Sequence, residues 1–146
     1  MKEISYIKNI DKWRAGFSFS MPIRIRFSEV DMFGHMNNVS TFTYFEVARI
    51  EFLKSIGLFG NDDKSGIPIV ADLQCDYLMQ VFFDENISLF VKATDVGTTS
   101  FDLHYMGVNE RDDICFTGRG RMVYVDSKSG KPIPLSETMK NQLLKQ

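Results

Sequence analysis

Residues 39–56 place apolar side chains at helical spacing in a chain whose other apolar runs alternate, and no other feature restricts the fold as much. Phe42, Phe45, Ala48, Phe52 and Ile56 form an i, i+3, i+4 stripe flanked by Val39, Ile50 and Leu53. Asn37 or Asn38 can cap the start, and Gly57 can take the left-handed conformation that stops a helix. At about 1.5 Å per residue the segment is about 27 Å long. Its apolar arc is too wide for one flat neighbour, so a sheet curved around the helix is the expected cover.

The remaining apolar runs read as strands. Phe17, Phe19, Met21, Ile23, Ile25 and Phe27 alternate with polar residues, and Pro22 on the other side marks an edge or a bulge. In 67–79 the inward set is Ile67, Ile69, Ala71, Leu73, Cys75, Tyr77 and Met79; in 86–95 it is Ile87, Leu89, Val91 and Ala93. Phe101, Leu103 and Tyr105 mark 99–108, and a less regular run covers 114–125. Short turn-rich connections require antiparallel neighbours, because a parallel crossover needs a dozen or more residues. The expected class is therefore α+β: one long central helix wrapped by a five-stranded, mostly antiparallel sheet. No repeat or linker divides the chain, so residues 1–146 are read as a single domain. Residues 1–16 are read as an N-terminal arm or a short helix, and 135–146 as a tail or a short helix beginning near Ser136.

Composition narrows the function classes. Lys and Arg total 17 against 19 Asp and Glu, and a net charge of −2 makes no electrostatic case for nucleic acid. No apolar run approaches a membrane span, and the N-terminus lacks the apolar stretch of a secretory leader. A cytoplasmic protein with Cys75 and Cys115 as free thiols is the expectation. His35, His104, Cys75 and Cys115 have no metal-ligand spacing, so no metal is expected. There is no Gly-x-Ser-x-Gly elbow, no P-loop and no dinucleotide fingerprint.

Chemistry concentrates in Arg26-Phe-Ser-Glu-Val-Asp31-Met-Phe-Gly34-His35-Met-Asn37-Asn38, between the first strand and the helix. A helix start carries unpaired N–H groups and partial positive charge, which suits an oxyanion or a thioester carbonyl. Gly34 permits close backbone approach. Read alone, Asp31 is equally a capping or Asx-turn residue. Asn37 and Asn38 are read first as caps and loop fasteners, whose backbone still matters at the helix start. His35 has three open roles: a hydrogen bond to Asp31, a hydrogen bond to substrate, or anchoring of the loop.

At these residues the chain resembles the hotdog-fold acyl-CoA thioesterases of the 4-hydroxybenzoyl-CoA thioesterase superfamily. The likeness is greatest to members reading Asp-x-x-x-His-x-Asn-Asn followed by Glu-x-Ala-Arg. Here these are Asp31 to Asn38 and Glu46-Val-Ala48-Arg49, and the similarity extends over about residues 20–135 in the family's order. The resemblance implies a hotdog fold and two subunits that join their sheets and share active sites, as a homodimer or homotetramer. It implies that Asp31 attacks the thioester or activates a water, while backbone N–H groups around Asn38 polarise the carbonyl. It also implies an acyl-CoA substrate, with coenzyme A as part of it and no separate cofactor.

Gly34, Asn37, Ser100 and Arg121 are the expected substrate-binding positions beside catalytic Asp31, His35 and Asn38. Arg24, Arg26, Arg119, Lys128 and Lys131 are further candidates for the coenzyme A phosphates, although a solvated sheet face explains each of them too. Met32, Phe33 and Met36 can line an acyl slot, and Glu46 or Glu51 are alternative carboxylates on the helix. The expected function is hydrolysis of an acyl-CoA thioester. The rivals are a hydratase or dehydratase on the same fold, which typically separates Asp and His by one more residue, and a non-catalytic acyl-binding domain.

Overall fold

The computed structural model describes residues 2–59 and 66–145. The outermost residues of the expected arm and tail, 1 and 146, lie outside the described residues. Helix α1 (Ile10–Ala15) precedes strand β1 (Phe19–Arg24), a 3-10 turn (Phe27–Glu29) and helix α2 (Asn38–Ser55). Strands β2 (Gly66–Tyr77), β3 (Asn86–Thr94), β4 (Ser100–Val108) and β5 (Ile114–Asp126) follow, then helix α3 (Glu137–Leu144). The strands form one antiparallel sheet in the order β1-β3-β4-β5-β2, which is the expected α+β architecture.

Helix α2 starts where its cap chemistry places it: the Asn37 side chain accepts the Val39 N–H, and Gly57 adopts φ +77° just past the end. Its buried face is Thr41, Tyr44, Phe45, Ala48, Arg49, Phe52 and Leu53. That face packs on Ile23 of β1, Ile87, Leu89 and Val91 of β3, Phe101, Leu103 and Tyr105 of β4, and Phe116 and Met122 of β5. Phe42 of the apolar stripe, Val39 on its flank and Val47 remain exposed, so the chain's own sheet covers only part of the arc. Pro22 lies on edge strand β1, where a missing N–H costs no ladder bond on the open side.

Two alternation readings need correction. Phe27 is 77% exposed, because β1 ends at Arg24 and the backbone turns where Arg26 meets Glu29. In β2 the register shifts between Val70 and Asp72, and a one-residue shift exchanges the faces of a strand. Ile67 and Ile69, before the shift, are consequently exposed rather than inward, whereas Leu73 and Cys75 beyond it pack on the core as expected. Tyr77 at the end of the strand and Met79 past it are also exposed, and β2 is the sheet's second edge.

The arm does more than fray. Strand β4 is buried on both faces, the outer one beneath residues 4–17. Trp13 packs there on Met106 and Val108 with Tyr6, Ile10, Phe17 and Phe90 around it. Its indole Nε1 donates to His104 Nδ1 at 2.9 Å, and Lys92 Nζ donates to the Trp13 carbonyl at 2.6 Å. Burial, reinforced by Lys92, pushes the His104 pKa down to about 4, with Asp102 and Asp95 opposing. The unfolded imidazole titrates near its ordinary 6.5, so the unfolded chain binds the proton more readily between those values. Stability is therefore complete above about pH 6.5 and declines as pH falls toward 4, by on the order of 2 kcal/mol. Denaturant melts followed by fluorescence of Trp13, the sole tryptophan, should show that decline, and His104→Gln should flatten it.

Candidate active site

The segment between β1 and α2 is a miniature hairpin held by its own backbone. Val30 bridges Met36, and the Asp31 N–H donates to the His35 carbonyl at 2.8 Å. The reversal is closed by Gly34, at φ +78°, whose N–H donates to the Asp31 carbonyl at 3.1 Å. Only glycine adopts that conformation without strain. Asp31 Oδ1 accepts the N–H of Phe33 at 2.9 Å and of His35 at 3.2 Å, so the Asx-turn reading of Asp31 is correct for one of its oxygens. Its Oδ2 has no hydrogen bond among the described residues.

The hairpin leads straight into α2. Asn37 accepts the Val39 N–H on its side chain at 2.9 Å and the Ser40 and Thr41 N–H groups on its carbonyl at 3.0 and 3.3 Å. Among the described residues the Asn38 N–H is left without an acceptor, at the positive end of the helix. From β2, the Tyr77 hydroxyl donates toward the Asn38 carbonyl (3.2 Å) and Thr41 Oγ1 (2.9 Å), pinning the helix tip to the sheet. Burial pushes the Tyr77 pKa up to about 12, so the phenol stays protonated.

The loop before β3 supplies the opposite wall. Met36 N–H donates to the Val81 carbonyl at 2.6 Å, Phe83 N–H to the Gly34 carbonyl at 3.2 Å, and His35 bridges Phe82. The His35 ring meets the Phe82 ring edge-on at 5.0 Å, with Phe33 at 6.4 Å. Among the described hydrogen bonds none joins this imidazole to the Asp31 carboxylate; His35 is tied to Asp31 through its backbone. Between the walls lies a cleft of about 480 Å³ lined by Asp31, His35 and Asn38 with Tyr77, Met79 and Gln80, and floored by Met36 and Val81.

Asp31, His35 and Asn38 thus share one cleft, with Gly34 and Asn37 holding the turns between them. Ser100 and Arg121 are not brought to it. Ser100 begins β4 at the end of the sheet opposite Asn86 and Arg24, beyond which the hairpin lies. A nine-residue strand spans about 26 Å. Arg121 stands across from Asp102 on the face away from α2, where its Nε donates to Asp102 at 2.9 Å. Arg119 shares that carboxylate, Arg24 pairs with Asp84 and Arg26 with Glu29. Met32 and Phe33 are exposed beside the cleft, while Met36 is buried in its floor. Glu51 pairs with Lys54, and Glu46 lies in a groove between α2 and β2. Among the described residues no group of three or more His, Cys, Asp or Glu side chains could hold a metal ion.

Tyr77, Met79 and Gln80 were not foreseen at the site. They sit at the end of an apolar strand run, and only its backbone pairing with residues some 45 positions away makes them a wall.

Comparison with known proteins identifies the family and the fold. The model of the thioesterase-like superfamily matches residues 25–143. The uncharacterized protein YsmA of Bacillus subtilis is 43% identical over 145 residues, covering 99% of this chain and 98% of its own. Two solved structures share the fold at 24% identity. A DHNA-CoA thioesterase of Staphylococcus aureus has a TM-score of 0.74, covering 84% of this chain and 83% of its own. A thioesterase of Thermus thermophilus complexed with coenzyme A and Zn has a TM-score of 0.75, covering 88% and 93%.

Proposed function

Because this chain belongs to the thioesterase-like superfamily and has its hotdog fold, we propose that it hydrolyses an acyl-CoA thioester at the Asp31 cleft. The observation that carries the reading is the pairing of an unspent carboxylate oxygen with an unspent helix-start N–H on one cleft. The Asn38 N–H, aided by the helix dipole, stabilises negative charge as it develops on the thioester carbonyl oxygen. Asp31 Oδ2 then acts in one of two ways. It attacks the carbonyl carbon, forming a mixed anhydride and expelling coenzyme A thiolate, and water cleaves the anhydride. Alternatively it takes a proton from a water that attacks directly, and the thiolate leaves from the tetrahedral intermediate. A carboxylate is a weak base, and either route works with it because a thiolate is a good leaving group.

Met36, Leu78, Met79 and Val81 give the cleft an apolar lining suited to the acyl group. A second copy of the chain is the proposed partner, joined along β2. That edge carries exposed Ile67, Ile69 and Val70 beside a groove of about 460 Å³ lined by Val39, Phe42 and Leu73. Dimers of this kind can pair further into a homotetramer. The reaction calls for no cofactor beyond the coenzyme A of its substrate. Incubation with short, long and aromatic acyl-CoA esters, with free thiol measured, tests the activity. Equal amounts of thiol and acid from at least one ester are expected, with kcat/KM above about 10⁴ M⁻¹ s⁻¹. A 3-hydroxyacyl product from an enoyl-CoA without thiol release points to a hydratase instead, and binding without turnover to an acyl-binding domain.

A further inference from the structure

Among the described residues Glu29 is one of the few acidic side chains that are buried, at 7% exposure, and the chemistry above does not use it. Its Oε1 accepts the Arg26 backbone N–H and Arg26 Nε, both at 3.1 Å, and Oε2 accepts Arg26 Nη2 at 2.7 Å. Tyr44, in the second turn of α2, donates its hydroxyl to Oε1. The Glu29 carbonyl meanwhile accepts the N–H of Asn37, the N-cap of α2, at 2.7 Å. One residue therefore grips Arg26 at the start of the 3-10 turn, the buried face of α2 and its N-cap. The hairpin bearing Asp31 begins at the following residue.

We infer that Glu29 is the positioning residue of this site: its carboxylate locks the Asp31 hairpin onto α2 and so sets the Asp31 carboxylate against the Asn38 N–H. The alternative is a purely structural ion pair. Three features favour positioning. Every partner of the carboxylate lies in the two elements that flank the hairpin. Tyr44 reaches it from the helix whose tip would polarise the substrate. The remaining exposed side chains of the hairpin, Met32 and Phe33, offer no other anchor to the helix. A displacement of about 1 Å between reacting groups costs on the order of 100-fold in rate, so a lock at this point governs turnover rather than binding.

The inference rests on the thioesterase reading, and its test separates the two. Glu29→Gln keeps the side-chain shape but gives Arg26 a neutral amide. It should lower kcat about 10- to 100-fold per folded protein while KM stays within about threefold. Tyr44→Phe, which removes one bond only, should lose less. In an Asp31→Asn background Glu29→Gln should cost nothing further, since there is no carboxylate left to place. Independently of activity, Glu29→Gln should speed hydrogen exchange of the Asp31 and Asn37 amides and leave those of β3 unchanged. A Glu29→Gln protein with wild-type kcat and wild-type exchange at those amides overturns the inference. If Glu29→Gln does not fold, Tyr44→Phe decides by the same two readouts. Wild-type protein that cleaves no thioester overturns the thioesterase reading alone, and the exchange measurement then judges the lock.

Discussion

Asp31→Asn should reduce kcat for thioester cleavage by about 10³-fold with little change in KM. The size follows from what the substitution keeps. Asn still presents Oδ1 to the Phe33 and His35 amides of the turn, so the hairpin closes as before. It removes only the negative charge and the nucleophilic or basic oxygen. General-base assistance contributes roughly 10²- to 10⁴-fold, and a covalent route is lost altogether. If Asp31 were a turn residue and nothing more, Asn would serve as well, and a variant within about fivefold of wild type would establish that. Thiol release under saturating substrate, normalised to folded protein by thermal melting, makes the comparison.

Phe45→Ala should be the most damaging core truncation, costing about 3–5 kcal/mol. Phe45 is fully buried at the centre of α2, stacked on Tyr105 at a centroid distance of 4.3 Å and against Phe116 at 5.9 Å. Gly118 of β5 leaves the space its ring fills: a Cβ there would lie 2.5 Å from the Phe45 ring. The sheet thus meets the helix backbone to aromatic face, and a truncated side chain leaves a cavity that no flexible neighbour can close. For a domain of this size the loss corresponds to a fall in Tm on the order of 10 °C. A denaturant melt showing a loss below about 1 kcal/mol would mean that the helix is not the keystone of this core.

How far the residues alone foretold this molecule depends on the range of the interactions involved. Helix α2, its Asn37 cap and its Gly57 stop are local signals, and the inward faces of β3 and β4 follow from strict alternation. The face of β2 does not, because the register shift beside Ala71 reverses the pattern without any change in residue type. Asp102 and His104 look like solvent-facing residues. His104 is buried because Trp13, some 90 positions earlier, docks on it, and the buried Asp102 carboxylate is paired by Arg119 and Arg121. Within the site, Asp31, His35 and Asn38 lie close in the chain, so their meeting was readable. Ser100 and Arg121 required knowledge of strand direction and face, which only the register of β4 against β5 supplies. The wall at Tyr77 to Val81 comes from main-chain bonds, which leave no mark in side-chain pattern.

The central claim is a geometric one about a reacting carbonyl, and a crystal structure with a carba(dethia) acyl-CoA, whose methylene replaces the sulfur, tests it directly. The account predicts the ketone oxygen within about 3 Å of the Asn38 nitrogen and its carbon within about 3.5 Å of an Asp31 carboxylate oxygen. An acyl group seated instead in the groove beside Phe19 and Met21, or beneath the arm at Trp13, with Asp31 touching nothing, would contradict it.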